Sequence, residues 1–108
     1  MAAELPGLLA DYLSAANAHD VAAMSAAFTV DSLVKDEGRE HRGLAAIREW
    51  MKETIEKYDY KVEPIESSQM DRKTVVLVSI SGTFPGSPIT LQYEFTIKGQ
   101  KIARLEIG

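Results

Sequence analysis

At 108 residues, 45% of them apolar, the chain is long enough to bury a core of its own as one domain, 1–108, without covalent staples. It contains no cysteine, which removes disulfides, thiolate metal sites and cysteine nucleophiles from consideration. The net charge of −4, with no basic run longer than Arg72-Lys73, argues against a nucleic-acid partner, because phosphate binding needs a clustered positive field.

No apolar stretch approaches the roughly 20 residues that span a bilayer. The chain begins with Glu4 and Asp11 rather than a basic segment, so no secretory signal and no membrane partner are expected, and the expected location is cytoplasmic.

Leu5, Leu8, Leu9, Tyr12, Leu13 and Ala16 recur at helical spacing and predict a first helix that opens at Pro6 and stops near Asn17 to His19. Asp20 reads as the N-cap of a short second helix with Val21, Met24 and Phe28 on its apolar face. Leu33 and Val34 make a brief strand between Asp31 and Asp36, and Gly38 marks a turn. After Gly43 a third helix carries Leu44, Ile47, Trp50, Met51, Ile55 and Tyr58 on one side and Arg48, Glu49, Lys52, Glu53 and Glu56 on the other.

From Tyr60 onward the period is two. Thr74, Val76, Val78 and Ile80 alternate with Val75, Leu77, Ser79 and Ser81, so this strand is covered on both faces. Ile89, Leu91, Tyr93, Phe95 and Ile97 form one face of the next strand. Pro85-Gly86-Ser87-Pro88 joins the two strands, and Gly99 closes a further hairpin toward Ile102. Helices followed by consecutive hairpins predict an α+β architecture, with helices on one face of a curved antiparallel sheet.

This order of elements resembles the NTF2-like superfamily, and within it the SnoaL-like and ketosteroid-isomerase-like group. The resemblance is carried by Tyr12, Asn17 and Asp20, by Phe28 with Asp31, by Val34 and Asp36 in Val-Lys-Asp-Glu-Gly, and by the run from Gly43 to Trp50. It covers nearly the whole chain. It implies a cone in which the bent sheet wraps the long helix and leaves an apolar cavity open at one end for a small hydrophobic molecule.

The resemblance also implies a chemistry. Asp36 falls where the isomerases keep the carboxylate base that moves a proton next to a carbonyl, and Tyr12 falls where they keep a hydroxyl donor to the resulting oxyanion. The family's third group, a protonated acid on a later strand, falls at Gln92 or Tyr93, and neither is an acid. Tyr93, on the apolar face with Leu91 and Phe95, is expected to face the cavity and donate in its place. The residues expected against the ligand are Phe28, His41, Trp50, Tyr93 and Phe95, with His41 on the rim after the glycine turn. The alternative for Asp36 is a turn residue that accepts backbone N–H groups around Glu37 and Gly38.

No metal is expected, since Asp36, Glu37, Glu40 and His41 sit on one loop and cannot converge as a cage. No cofactor is expected, since there is no glycine-rich phosphate loop and no nucleophile–base motif. An epoxide hydrolase of the limonene type needs an Asp-Arg-Asp set on the strands, and no aspartate follows Asp71. The expected functions are therefore an isomerase or cyclase acting on a steroid- or polyketide-like carbonyl compound, a non-catalytic binder of a small apolar ligand, or an interaction domain. Val75 and Leu77 on the strand's second apolar face point to a homodimer through the sheet in each case.

Overall fold

The computed structural model describes residues 5–108; Glu4 and the three residues before it lie outside the described part. The helices are α1 (Gly7–Asn17), α2 (Val21–Ser25) and α3 (Leu44–Tyr58), and the strands are β1 (Phe28–Asp36), β2 (Arg39–Arg42), β3 (Lys61–Met70), β4 (Lys73–Ser81), β5 (Ile89–Lys98) and β6 (Lys101–Ile107). No helix among the described residues is long and apolar enough to cross a membrane.

The end of α1 shows how little chain is spent on reversals. His19 adopts a left-handed φ of 55°, its N–H donates to the Ala16 carbonyl, and the Asp20 N–H donates to the Ala15 carbonyl. This six-to-one, five-to-two pair is the Schellman closure, with histidine where glycine is usual. Asp20 then caps α2 as expected, its carboxylate accepting from the Ala23 N–H at 3.1 Å.

Two expectations need correction. Phe28 does not belong to α2, which stops at Ser25; it opens β1. The Thr29-Val30 step that follows favours the extended chain, where β-branched side chains fit without crowding a preceding turn. β1 is also far longer than Leu33-Val34, because it pairs on both sides, with β2 and with β6. Glu37 and Gly38 link β1 to β2 with φ values of 53° and 73°, the positive pair that a two-residue hairpin turn of the right twist demands.

The strand order is β2-β1-β6-β5-β4-β3, antiparallel throughout except that β1 and β6 run parallel. Register shifts between Phe28 and Leu33, between Pro64 and Glu66, and between Thr96 and Ile97 add twist and bend, so the sheet curves without closing. Pro64 lies in β3, an edge strand, where a missing N–H is tolerated. The concave face carries Val62, Val76, Val78, Ile80, Tyr93, Phe95, Ile102 and Leu105, all buried against Leu9, Tyr12, Leu13, Ile47, Trp50 and Met51 of the helices. On the opposite face Val75 and Leu77 are half-buried.

Two tethers hold the helices to the sheet. Asn17 donates through Nδ2 to the Val62 carbonyl at 2.9 Å and accepts from the Val62 N–H at 2.7 Å. His19 Nε2 lies 2.9 Å from the Tyr60 carbonyl, an oxygen that can only accept, so this nitrogen carries the proton. Together they fix the start of β3, and with it the position of Tyr60.

Candidate functional site

Between the concave sheet and α3 lies a cavity of about 510 Å³. Its wall comprises Trp50, Thr54 and Tyr58 from α3, Asp36, Glu37 and Gly38 from the β1–β2 turn, Tyr60 ahead of β3, Ile80 and Phe84 from β4 and the segment after it, Ile89, Leu91 and Tyr93 from β5, and Ile107 and Gly108. The volume suits a small organic molecule, and the surface is mostly apolar with a few polar atoms.

Asp36 is the more buried of the two acids that line this cavity, the other being the exposed Glu37. Its Oδ2 accepts from Trp50 Nε1 at 3.0 Å, and the backbone N–H of Glu37 also donates to the carboxylate. Asp36 therefore lines the cavity and is at the same time braced by its own turn. Burial pushes its pKa above the usual carboxylate value, and the Glu37 charge adds to this. The Trp50 bond, the Glu37 N–H and the charge of His41 pull the other way without reversing it.

Three tyrosines surround the acid electrostatically. Tyr12 and Tyr93 have pKa values well above that of an ordinary phenol, first because they are buried and then through the charges of Tyr60 and Asp36. Burial followed by the Asp36 charge pushes Tyr60 up to about 12. All three therefore keep their protons and remain donors at ordinary pH. None of their hydroxyls is engaged in a hydrogen bond among the described residues.

Aromatic packing sets their orientation. Tyr12 meets Phe28 edge-on at 5.5 Å between centroids and Phe95 at 6.0 Å, and Phe95 meets Tyr93 at 5.9 Å. Phe28 and Phe95 thus stand behind the cavity wall, as the backing of Tyr12 and Tyr93, rather than in it. Asp36, Trp50 and Tyr93 line the cavity; Tyr12, with 2% of its surface exposed, lies one layer deeper. His41 sits on β2, its ring 6.1 Å from that of Trp50, outside the lining.

Three aromatic wall residues were not singled out as ligand-facing by the sequence. Tyr58, Tyr60 and Phe84 line the cavity, with Tyr58 donating to Glu37 Oε1 at 2.8 Å and stacking edge-on with Phe84 at 5.7 Å. A signal was available in Tyr58-Asp59-Tyr60. The helical period ends there and the strand period begins, so both rings turn to one side of a junction that Asp59 makes with a left-handed φ of 44°. Among the described residues no group of His, Asp and Glu side chains gathers to hold a metal ion.

A curved, unclosed six-stranded sheet over three helices, with an acid and several tyrosines at an apolar cavity, defines an α+β protein of the NTF2-like fold. The model of the SnoaL-like domain matches residues 9–105, and the chain belongs to that family. A crystal structure from Sinorhizobium meliloti, described as that of a candidate polyketide cyclase, is 43% identical, with a TM-score of 0.93 over 96% of this chain and 95% of the other. A protein of ketosteroid-isomerase-like fold from Catenulispora acidiphila, solved with trimethylamine, shares 15% identity at a TM-score of 0.85, covering 97% of this chain and 86% of its own. The epoxide hydrolase/cyclase-like enzyme SalBIII of pyran-ring formation in salinomycin shares 22% identity at a TM-score of 0.81, covering 93% and 85%. These last two establish likeness of fold. No curated protein matches the chain.

Proposed function

We propose that this domain is an isomerase or cyclase-type enzyme that abstracts a proton next to the carbonyl of a hydrophobic, steroid- or polyketide-like substrate. Asp36 is the base. The hydroxyl cluster of Tyr12, Tyr93 and Tyr60 holds the oxyanion, with Tyr93 and Tyr60 presented from the wall and Tyr12 reinforcing them from behind. The observation that carries this reading is a carboxylate in an apolar cavity whose burial raises its affinity for a proton, with the tyrosines Tyr60 and Tyr93 in the same wall. A base poised closer to neutrality takes a carbon-bound proton more readily, and donors already in place need no reorganisation when charge develops. The 43% identity to a candidate polyketide cyclase points to the same class of substrate.

The test is exchange of deuterium from the α-carbon of a cyclic ketone in the presence of the protein. Asp36→Asn, which keeps an acceptor for Trp50 Nε1, should slow the exchange by about 10²–10⁴-fold, the usual contribution of a positioned base. An undiminished rate in the variant would falsify the assignment. The second reading is a non-catalytic binder, favoured by the two hydrogen bonds that already brace Asp36. In that case ketone binding persists in both proteins while neither catalyses exchange. Under either reading we assign the outer sheet face around Val75 and Leu77 to a homodimer contact, and the protein to the cytoplasm.

A further inference from the structure

The charge of the cavity wall is lopsided. Two carboxylates line it, Asp36 and Glu37, and among the described residues no Lys, Arg or His does. The wall also holds the hydroxyls of Tyr58, Tyr60 and Tyr93, which can donate to an anion but do not neutralise one. Five aromatic rings complete the wall: Trp50, Tyr58, Tyr60, Phe84 and Tyr93. Trp50, Tyr60 and Tyr93 are buried at its floor, whereas Tyr58 and Phe84 are partly exposed beside the exposed Glu37. Ring faces carry negative quadrupole charge, and rings gathered around a carboxylate make the usual surroundings for an organic ammonium ion.

The chain itself supplies an example. Lys57 places its ammonium 5.0 Å from the centre of the Tyr58 ring, on a side chain that points to solvent. Lys57 and His41 interact with Glu37 and Asp36 respectively, and Arg39 is the cross-strand partner of Asp36 on β2, but none of the three enters the wall. A negatively charged ligand would therefore meet two carboxylates and, among the described residues, no cation in the wall itself.

From this we infer that the ligand of the cavity carries a positively charged nitrogen bearing apolar substituents, a hydrophobic amine or quaternary ammonium group. The charged end sits at the rim against Glu37, Tyr58 and Phe84, and the apolar body reaches toward Tyr93 and Tyr60. A substrate with a carbonyl at one end and an ammonium at the other satisfies both the chemistry proposed above and the charge of the wall. This inference rests on the cavity being the ligand site.

Phenyltrimethylammonium and its neutral isostere tert-butylbenzene test the inference, since they differ in charge and hardly in shape. Trp50 is the only tryptophan of the chain and lines the cavity, so its fluorescence follows occupancy, with calorimetry as an independent measure. The cation should bind about two- to fivefold more tightly than the isostere, in line with a cation–ring contact at a partly exposed rim, and the ratio should shrink in Glu37→Gln. Equal or tighter binding of the isostere overturns the inference while leaving the cavity as a site for neutral ligands. A ratio unchanged in Glu37→Gln also overturns it, because the rim carboxylate then plays no part. If neither probe perturbs Trp50 or releases heat at millimolar concentration, the cavity is not the ligand site, and the inference falls together with the proposed function.

Discussion

Trp50 Nε1 donates to Asp36 Oδ2 over 3.0 Å, linking the middle of α3 to the last residue of β1. The bond has two consequences. It aims the carboxylate across the cavity, and it favours the ionised form that burial otherwise disfavours.

Trp50→Phe isolates that second effect. A ring remains to fill most of the space, but the donor is lost, and the Asp36 pKa rises further because the largest of the effects that offset burial is gone. The acid limb of the rate profile for proton exchange should move to higher pH, with the rate on the alkaline plateau affected less than the rate below it. A limb that stays in place would show that the indole bond does not tune the base. Far-ultraviolet circular dichroism of the variant checks that the fold survives.

Stability carries a related signature of opposite sense to that of an ion-paired carboxylate. Asp36 has a raised folded-state pKa, so the folded protein holds this proton more tightly than the unfolded chain. Between the ordinary carboxylate value and the raised one, the native state has more protons bound, and stability falls as the pH rises. Below that window both states are protonated and no difference remains. Asp36→Asn cannot ionise and escapes the loss. Its melting temperature relative to wild type should therefore be higher at about pH 7 than at about pH 3. A constant difference at the two values contradicts the assignment.

Gly82 sits where the segment after β4 crosses the end of α3. A Cβ added there would lie 2.4 Å from the Tyr58 carbonyl oxygen and 3.1 Å from the Phe84 ring. That oxygen already accepts from the Thr83 N–H at 2.7 Å and the Thr83 hydroxyl at 3.1 Å, so it has little freedom to retreat. Gly82→Ala should cost about 1–3 kcal/mol, seen as a melting temperature lower by roughly 4 °C or more. Because Phe84 and Tyr58 form the rim, ligand affinity should fall as well. A variant as stable as wild type would mean that the segment is loosely held.

The proposed homodimer contact is open to direct measurement. Val75 pairs across the strands with Ser68 and Glu94, and Leu77 with Glu66 and Gln92, so each apolar side chain is bordered by polar groups. Sedimentation at micromolar concentration should give twice the chain mass. Leu77→Glu, which sets a second carboxylate beside Glu66, should shift it to the monomer. A monomeric wild type rules the contact out.

Much of the fold was legible because local chemistry and burial pattern agree. The stripe from Leu44 to Tyr58, the alternation from Thr74 to Ile80 and the cap at Asp20 each state their element within a few residues. β1 was not legible, because its length depends on partners at Arg39–Arg42 and Lys101–Ile107, and Phe28 fits a helix face as well as a strand start. The parallel pairing of β1 with β6 has no local signature at all, since it arises when two segments more than sixty residues apart share an edge.

The candidate site divides in the same way. That an acid ends β1 just before a positive-φ turn follows from Asp36-Glu37-Gly38, because only such a turn closes a two-residue hairpin with the right twist. That Asp36 meets an indole, that Tyr60 faces the cavity while Phe28 and Phe95 stand behind it, and that no cation among the described residues reaches the wall depend on how far the sheet bends over α3. Bulges between Phe28 and Leu33, Pro64 and Glu66, and Thr96 and Ile97 accompany that bend; the first joins β1 to the distant β6, and the other two lie within the β3–β4 and β5–β6 hairpins. Residue order can specify which side chains are available. Curvature decides which of them share a surface, and curvature is a property of the assembled sheet.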